Sequence, residues 1–433
     1  MSIQLPPELL QHILLEIRED KPSLKSFSLV CSTFLFMARP HLFHTIRLRP
    51  AGVSRFLRLC DHPLQTISSA GVQVFALVQE KEEERDLRKS RALNDLLTWC
   101  SPDGERTLPT ILSNLGHLSF TWTGSWMLSE EGEMRLREFQ LVTELSLSIV
   151  AFHNYGEILR VIDSFPSLEA LTLVKRFKQD DETESHLGQT LREVWSHPDT
   201  LQTNPLTISL KTISLQSYVD ARLIRALAPC RTLREFQCHY NKISHLTVER
   251  ASAIGGLLSG AGSLESFSFA IQEDWSIDDN TGLVDRFHRY INLTRNPKLR
   301  KVTLSVRHKT FPLHFFEHLK EANIRIETIS LHRLSNLVAE NESEFDYDRL
   351  DAILQYPTFS RLREVILDVF IRFGPESVAG QSPRKTYPRP NENSSAVQKM
   401  ETKMAIFRSR LPLCERRGIL KLQEEYRFSW GSD

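Results

Sequence analysis

His314, Glu317 and His318, in the run His314-Phe315-Phe316-Glu317-His318, are the residues of this 433-residue chain whose types and spacing could do chemistry. Two imidazoles four residues apart share one face of a helix, where they can ligate zinc, and the carboxylate between them can act as a general base. Zinc hydrolysis needs a third protein ligand and an open coordination position, and no companion acid motif identifies itself. Phe315, Phe316 and Leu319 suit the buried face of a helix leading towards Ile326, so the run reads as packing. His41 and His44 lie near one another without thiol or carboxylate companions. No phosphate-loop, dinucleotide or hydrolase-elbow glycine pattern occurs. Gly255-Gly256-Leu257-Leu258-Ser259-Gly260 is a weak look-alike whose place suits a helix end and turn. The sequence therefore assigns no catalytic residue, no metal site and no cofactor.

With no chemistry to position, the elements themselves become informative. The chain has 54 Lys and Arg against 54 Asp and Glu, a formal net charge of zero. That removes the electrostatic footprint of a general nucleic-acid binder, which neutralises phosphates with clustered cations. Cys31, Cys60, Cys100, Cys230, Cys238 and Cys414 lie far apart with no secretory leader ahead of them, and read as reduced, mostly buried thiols of a cytosolic or nuclear protein. The longest apolar run, Val30 to Ala38, is far shorter than the roughly 20 residues that span a bilayer, so no membrane partner is expected.

Residues 1–48 carry more apolar surface than short helices can bury alone. Leu5, Pro6 and Pro7 open a first helix, and Leu9, Leu10, Ile13, Leu14 and Ile17 share one face of it. Lys21 and Pro22 break it, Ser23 can cap a second helix, and Leu24, Phe27, Val30, Cys31, Phe34 and Met37 follow until Pro40. About 40 residues are too few for a well-buried core of their own, so the segment must dock onto something.

Leucine-proline, a carboxylate, two leucines, then leucine and valine-cysteine-serine at this spacing resembles an F-box. In that family the segment links its protein to the cullin scaffold of an SCF-type ubiquitin ligase through an adaptor. The resemblance implies adaptor-contact positions at Leu5, Pro6, Glu8, Leu9, Leu10, Ile13, Leu14, Leu24, Val30, Cys31 and Phe34. One departure is Leu42-Phe43, where the family often has leucine-tryptophan; phenylalanine keeps the aromatic bulk.

The pattern L-x-x-L-x-L, with apolar replacements, recurs nine times, starting at Leu115, Val142, Leu168, Leu210, Leu233, Leu264, Leu299, Ile326 and Leu362. Successive starts lie 27, 26, 42, 23, 31, 35, 27 and 36 residues apart, a leucine-rich-repeat spacing with inserted loops. Helical periodicity falls between them, at Ile158–Ile162, Leu223–Leu227, Phe315–Leu319 and Leu350–Leu354. One strand and one helix cannot close a core, so neighbours must stack. The expectation is an α/β protein: a three-helix F-box over residues 1–48, then an irregular leucine-rich-repeat α/β solenoid (a horseshoe) over 49–433. His44–Leu48 and Gly71–Leu77 read as two extra strands joining the parts without a flexible linker. Residues 178–202 read as an excursion, 80–91 as a solvated charged stretch, 374–395 as a disordered insertion and 396–433 as a closing cap. Asn241 alone stands where a repeat asparagine usually ladders the turns.

Residues alternating with the buried strand positions are Ser119, Ser146, Thr172, Ser214, Gln237, Ser268, Thr303, Ser330 and Ile366, a neutral surface better suited to a protein than to a polyanion. Just after the strands, Trp122, Trp126, Tyr218, Tyr240 and Trp275 are candidate target-binding anchors, or else pack under the loops. The arrangement resembles the divergent F-box proteins with leucine-rich repeats found in fungi, which implies a non-catalytic substrate receptor for an unknown protein target. A ligase-independent interaction scaffold and a zinc hydrolase using His314 and His318 are the alternatives.

Overall fold

The computed structural model describes residues 6–62, 67, 71–78, 92–121, 128–148, 155–175, 209–217, 219–242, 245–271, 287–305, 310–332, 345–373 and 395–428. The chain forms two compact units, Met1–Leu210 and Lys211–Asp433.

The first unit opens with three helices, α1 (Pro7–Ile17), α2 (Lys21–Ser28) and α3 (Ser32–Phe43). Leu14, Leu24 and Ala38, one from each helix, are buried together, with Ile17, Phe27, Met37 and Leu42 packed around them. Three small contacts make a thin core, consistent with so short a segment. Two details differ from the sequence reading. Asp20 caps α2 by accepting from the Ser23 N–H, so the helix begins at Lys21 and Pro22 falls in its first turn, where no N–H is needed. Pro40 lies inside α3, which runs on to Phe43. Phe36 is on the exposed face, so water can satisfy the carbonyl that Pro40 leaves without a donor.

The chain passes from α3 into β1 (Thr45–Leu48), followed by β2 (Val74–Val78), β3 (His117–Thr121), β4 (Glu144–Ser148) and β5 (Ala170–Lys175). Each pairs in parallel with the next. Thr45–Leu48 thus belongs to the sheet, and the helical module ends at Phe43. The junction is fixed: Gln73 and Val74 donate backbone N–H groups to the His44 carbonyl, and His44 Nε2 lies 3.0 Å from Gln73 Oε1. Helices Val53–Cys60, Ala92–Leu97, Glu130–Leu136 and Tyr155–Asp163 fall between the strands.

The second unit repeats the scheme with β6 (Thr212–Ser217), β7 (Glu235–Tyr240), β8 (Ser266–Ile271), β9 (Lys301–Ser305), β10 (Thr328–His332), β11 (Glu364–Phe373) and β12 (Leu420–Phe428), again parallel and in sequential order. All nine L-x-x-L-x-L motifs supply strands, because the pattern sets its apolar side chains on one face of the pleat. Within each unit this is a leucine-rich-repeat-type α/β arrangement. Phenylalanines fill much of the second core, where Phe287 packs edge-on against Phe269 and Phe311 at ring separations of 4.9 and 5.0 Å; each buried ring is worth about 1.5–3 kcal/mol.

Asn241 is exposed, and among the described residues it makes no hydrogen bond to a neighbouring repeat. Other polar groups join successive repeats. Buried Asn296 donates through Nδ2 to the carbonyls of Leu258 and Ala261, at 3.0 and 2.9 Å, at the C-terminal end of helix Val248–Ser259. Two repeats on, Thr358 Oγ1 donates to the Lys320 carbonyl at 2.6 Å, just past helix Phe311–Leu319. Arg417 then reaches the carbonyls of Leu354 and Phe359, beyond helix Tyr347–Ile353. Each contact ties a later segment to carbonyls at or just past a helix end, where spare acceptor capacity remains even when a backbone N–H is already bound, as at Leu258 and Ala261. Asp351, also buried, accepts from the N–H groups of Leu413 and Cys414 and so starts helix Pro412–Arg416. That helix follows Ser395–Arg410, whose Met400 and Phe407 are buried.

Gly255 sits within helix Val248–Ser259 rather than at its end. A Cβ there would lie 1.9 Å from the Tyr290 carbonyl oxygen, so the residue is glycine because two backbones meet. The excursion expected at 178–202, the solvated charged stretch at 80–91, and 374–394 of the stretch expected to be disordered lie outside the described residues; Ser395 opens a helix.

Candidate functional site

The helical module sorts the motif residues into two sets. Leu10, Leu14 and Leu24 are buried and hold the helices together, so they are not surface contacts. Leu9 is 50% and Ile13 42% exposed on α1, while Leu29 (86%), Val30 (65%) and Phe36 (72%) are exposed at the α2–α3 turn and on α3. Among the described residues, six of the eleven exposed large apolar side chains lie in this module, Leu15 being the sixth. Such a concentration marks an interaction surface. Pro6, Glu8 and Cys31 are also exposed, and Phe34 is half-buried against Phe27, with ring centroids 4.2 Å apart. Leu5 lies outside the described residues.

The His314–His318 run does form a helical turn, within helix Phe311–Leu319, and Phe315, Phe316 and Leu319 are buried as their spacing requires. Glu317 is taken by Arg349, whose guanidinium donates to both carboxylate oxygens at 2.7–2.9 Å. His318 stacks obliquely on His288 at 5.2 Å. With both carboxylate oxygens of Glu317 engaged by Arg349, the run serves to pack and pin the helix. Among the described residues no group of three or more His, Cys, Asp or Glu is placed to hold a metal ion.

The face of each sheet opposite the helices carries the alternating residues in register. In the first unit Ser119, Ser146 and Thr172 are aligned across β3–β5. In the second, Ser214, Gln237, Ser268, Thr303, Ser330, Ile366 and Lys421 continue from β6 to β12. One row further along lies a set that the sequence reading missed: Gln216, His239, Ala270, Ser305 and His332, with Asp368 next to His332 on β11. Each directly follows the last apolar residue of its motif, which is the signal that could have found them. His332 Nδ1 pairs with Asp368 Oδ2, while Asp368 Oδ1 is buried with no hydrogen bond among the described residues. Ser305 adjoins His332 in register, but among the described residues no hydrogen bond joins them, so these residue types are not assembled as a nucleophile and its base. Ser217 closes β6 at a φ of 66°, a left-handed conformation that serine adopts only at a cost.

Of the aromatic anchors, Trp122, Trp126, Tyr218 and Trp275 lie outside the described residues. Tyr240 is buried, edge-on to Phe269 at 6.3 Å, and burial drives its hydroxyl well above the ordinary range. It packs beneath the sheet and is unavailable to a partner. Cys60, Cys230, Cys238 and Cys414 are buried, whereas Cys31 and Cys100 are exposed, in line with mostly buried thiols. Burial pushes the thiols of Cys60 and Cys238 up to about 12. Among the described residues no helix is long and apolar enough to cross a membrane.

No family model matches the chain, and neither does any curated protein. Among solved structures, the leucine-rich repeat-containing protein LegL7 from Legionella pneumophila aligns at 13% identity over 83% of this chain and 98% of its own, with a TM-score of 0.38.

Proposed function

We propose that this chain is the substrate-recognition subunit of an SCF-type ubiquitin ligase, with the helical module binding the SCF adaptor, and through it the cullin, while the repeats hold a protein target. The observation that carries the proposal is the exposed apolar surface of α1–α3, which coincides with a segment resembling an F-box. Leu9 and Ile13 stand one helical turn apart and offer a continuous stripe, and Leu29, Val30 and Phe36 add a second patch. Burying an apolar side chain of this size contributes about 1.5–3 kcal/mol, enough for a few such residues to anchor a complex. The fixed junction from α3 through His44 into β1 and β2 gives the module a defined position on the first sheet.

On this account the chain catalyses nothing. It raises the effective concentration of its target near the ubiquitin-charged enzyme. The test is affinity capture from cells with the full-length protein and with its L9E/I13E variant. Wild-type capture should recover adaptor, cullin and a target, the variant should recover the target alone, and that target should accumulate when the variant replaces the wild type. Capture of a target whose abundance is indifferent to the variant would favour a scaffold role.

A further inference from the structure

The backbone register of the second unit brings an alternating charge row to one edge of its sheet. Glu265 N–H donates to the Arg234 carbonyl, Arg300 N–H to Glu265, Glu327 N–H to Arg300 and Arg363 N–H to Glu327, all at 2.7–2.9 Å. Arg234, Glu265, Arg300, Glu327 and Arg363 therefore stand side by side at the N-terminal ends of β7–β11. The three arginines are exposed, and among the described residues none takes part in an ion pair. A second line reinforces them: Arg231, Lys298, Arg325 and Arg361, in the turns two or three residues ahead of the row members that lead into β7, β9, β10 and β11, are exposed as well. The edge is thus basic, although the chain as a whole carries no net charge.

We propose that this edge binds an extended acidic protein segment, running across the strands, with a carboxylate or phosphorylated side chain at every third residue. Neighbouring strands lie about 4.8 Å apart, so alternate strands set Arg234, Arg300 and Arg363 at intervals of about 9.6 Å. A polyproline-II segment rises about 3.1 Å per residue with three residues per turn, so every third side chain falls on one face about 9.3 Å from the last. The two periods agree. Intervening residues of such a segment meet Glu265 and Glu327, and neutral side chains are accommodated there. A nucleic-acid strand fits less well, because charges about every 3.4 Å along it would fall against those carboxylates. Guanidinium–carboxylate pairing of this kind can be bidentate, which favours arginine at the repeating positions. Glu235, Lys301 and Glu364 flank the row on the open face, and Glu364 is held by Lys421, so one uncompensated charge of each sign remains beside the row.

The inference requires only the fold of residues 211–433 and stands apart from the adaptor reading. Its test is fluorescence anisotropy with the full-length protein and three labelled probes: a Glu-Pro-Ser repeat peptide, a peptide of the same composition with its glutamates in one block, and a single-stranded oligo-dT. The periodic peptide should bind at least about fivefold more tightly than the block peptide. That binding should weaken about tenfold or more in R234E/R300E/R363E, and vanish near 1 M salt, where the Debye length is about 3 Å. Circular dichroism melts verify that the exposed substitutions leave the fold intact. Absence of peptide binding, equal affinity for both spacings, or tighter binding of oligo-dT through the same arginines would each overturn the proposal.

Discussion

Two adjacent glycines in helix Val248–Ser259 should respond to the same substitution with opposite sign. A Cβ on Gly255 would stand 1.9 Å from the Tyr290 carbonyl oxygen and 2.9 Å from its carbon, whereas one on Gly256 meets nothing within 4 Å. The obstacle at Gly255 is backbone, so it cannot rotate away. Relieving the overlap means moving the helix from residues 287–291 by about 1 Å, in an interior as dense as a crystal. Forced overpacking costs about 1–3 kcal/mol, occasionally more, and the displaced segment leads directly to Asn296 and its two bonds. Removing a glycine from a helix interior returns about 0.5–1 kcal/mol. Gly255→Ala is therefore expected to destabilise by about 2 kcal/mol and Gly256→Ala to stabilise by about 0.5–1 kcal/mol. The difference of about 3 kcal/mol amounts to roughly 6–12 °C in melting temperature for a unit of this size. Urea titration of the full-length variants, followed by circular dichroism, measures it, and hydrogen exchange in residues 248–259 localises it. Equal effects at the two positions, or a stabilising Gly255→Ala, would refute the close packing of Gly255 on Tyr290.

Asn296→Ala removes two buried hydrogen bonds, while the Leu258 and Ala261 carbonyls keep the N–H groups of Ala261 and Leu264, and should cost about 1–3 kcal/mol in the same titration. Combined with Gly255→Ala, the loss should be less than additive, since both act on the contact between the 287–296 segment and helix Val248–Ser259; strict additivity would speak against that coupling. A thiol-reactive disulfide reagent near pH 8 should modify Cys31 and Cys100 rapidly and the other four cysteines only on unfolding; fast reaction of four or more would show the burial to be wrong. Because folding raises the Cys60 and Cys238 thiols from 9.0 to about 12, their contribution is fully present below about pH 9 and is lost as pH rises towards 12. Thermal melts should accordingly fall across that alkaline window, and flattening that fall is the expected effect of C60A/C238A.

The repeat was legible because its signal is periodic. Each L-x-x-L-x-L motif states locally which face is buried, and nine such statements fix strands and their order without any long-range inference. Helices between them were legible for the same reason. The groups that join the repeats were not. Asn241 looked like a ladder asparagine by position but is exposed, whereas Asn296 and Thr358 lie just ahead of the next strand and act on carbonyls of the preceding repeat. That depends on where two helix ends meet, which no local window records. Tyr240 illustrates the limit for surfaces: an aromatic just past a strand motif is equally good as anchor or as packing, and only the placement of Phe269 decides. In the module, helical spacing gave the apolar face of α1 but could not divide it into inward Leu10 and Leu14 and outward Leu9 and Ile13, a division set by α2 and α3. The His332–Asp368 pair and the arginine row escaped because charge partners on neighbouring strands are 35 or so residues apart in sequence and adjacent only through register.

The central claim is that α1 presents Leu9 and Ile13 to an SCF adaptor. Isothermal titration of the purified full-length protein with the purified adaptor tests it most directly. A one-to-one complex is predicted for the wild type, weakened at least about 100-fold by L9E/I13E as two anchor side chains acquire charge, while Asn296→Ala leaves it unchanged. Absence of binding by the folded wild type, or equal affinity in L9E/I13E, would contradict the account.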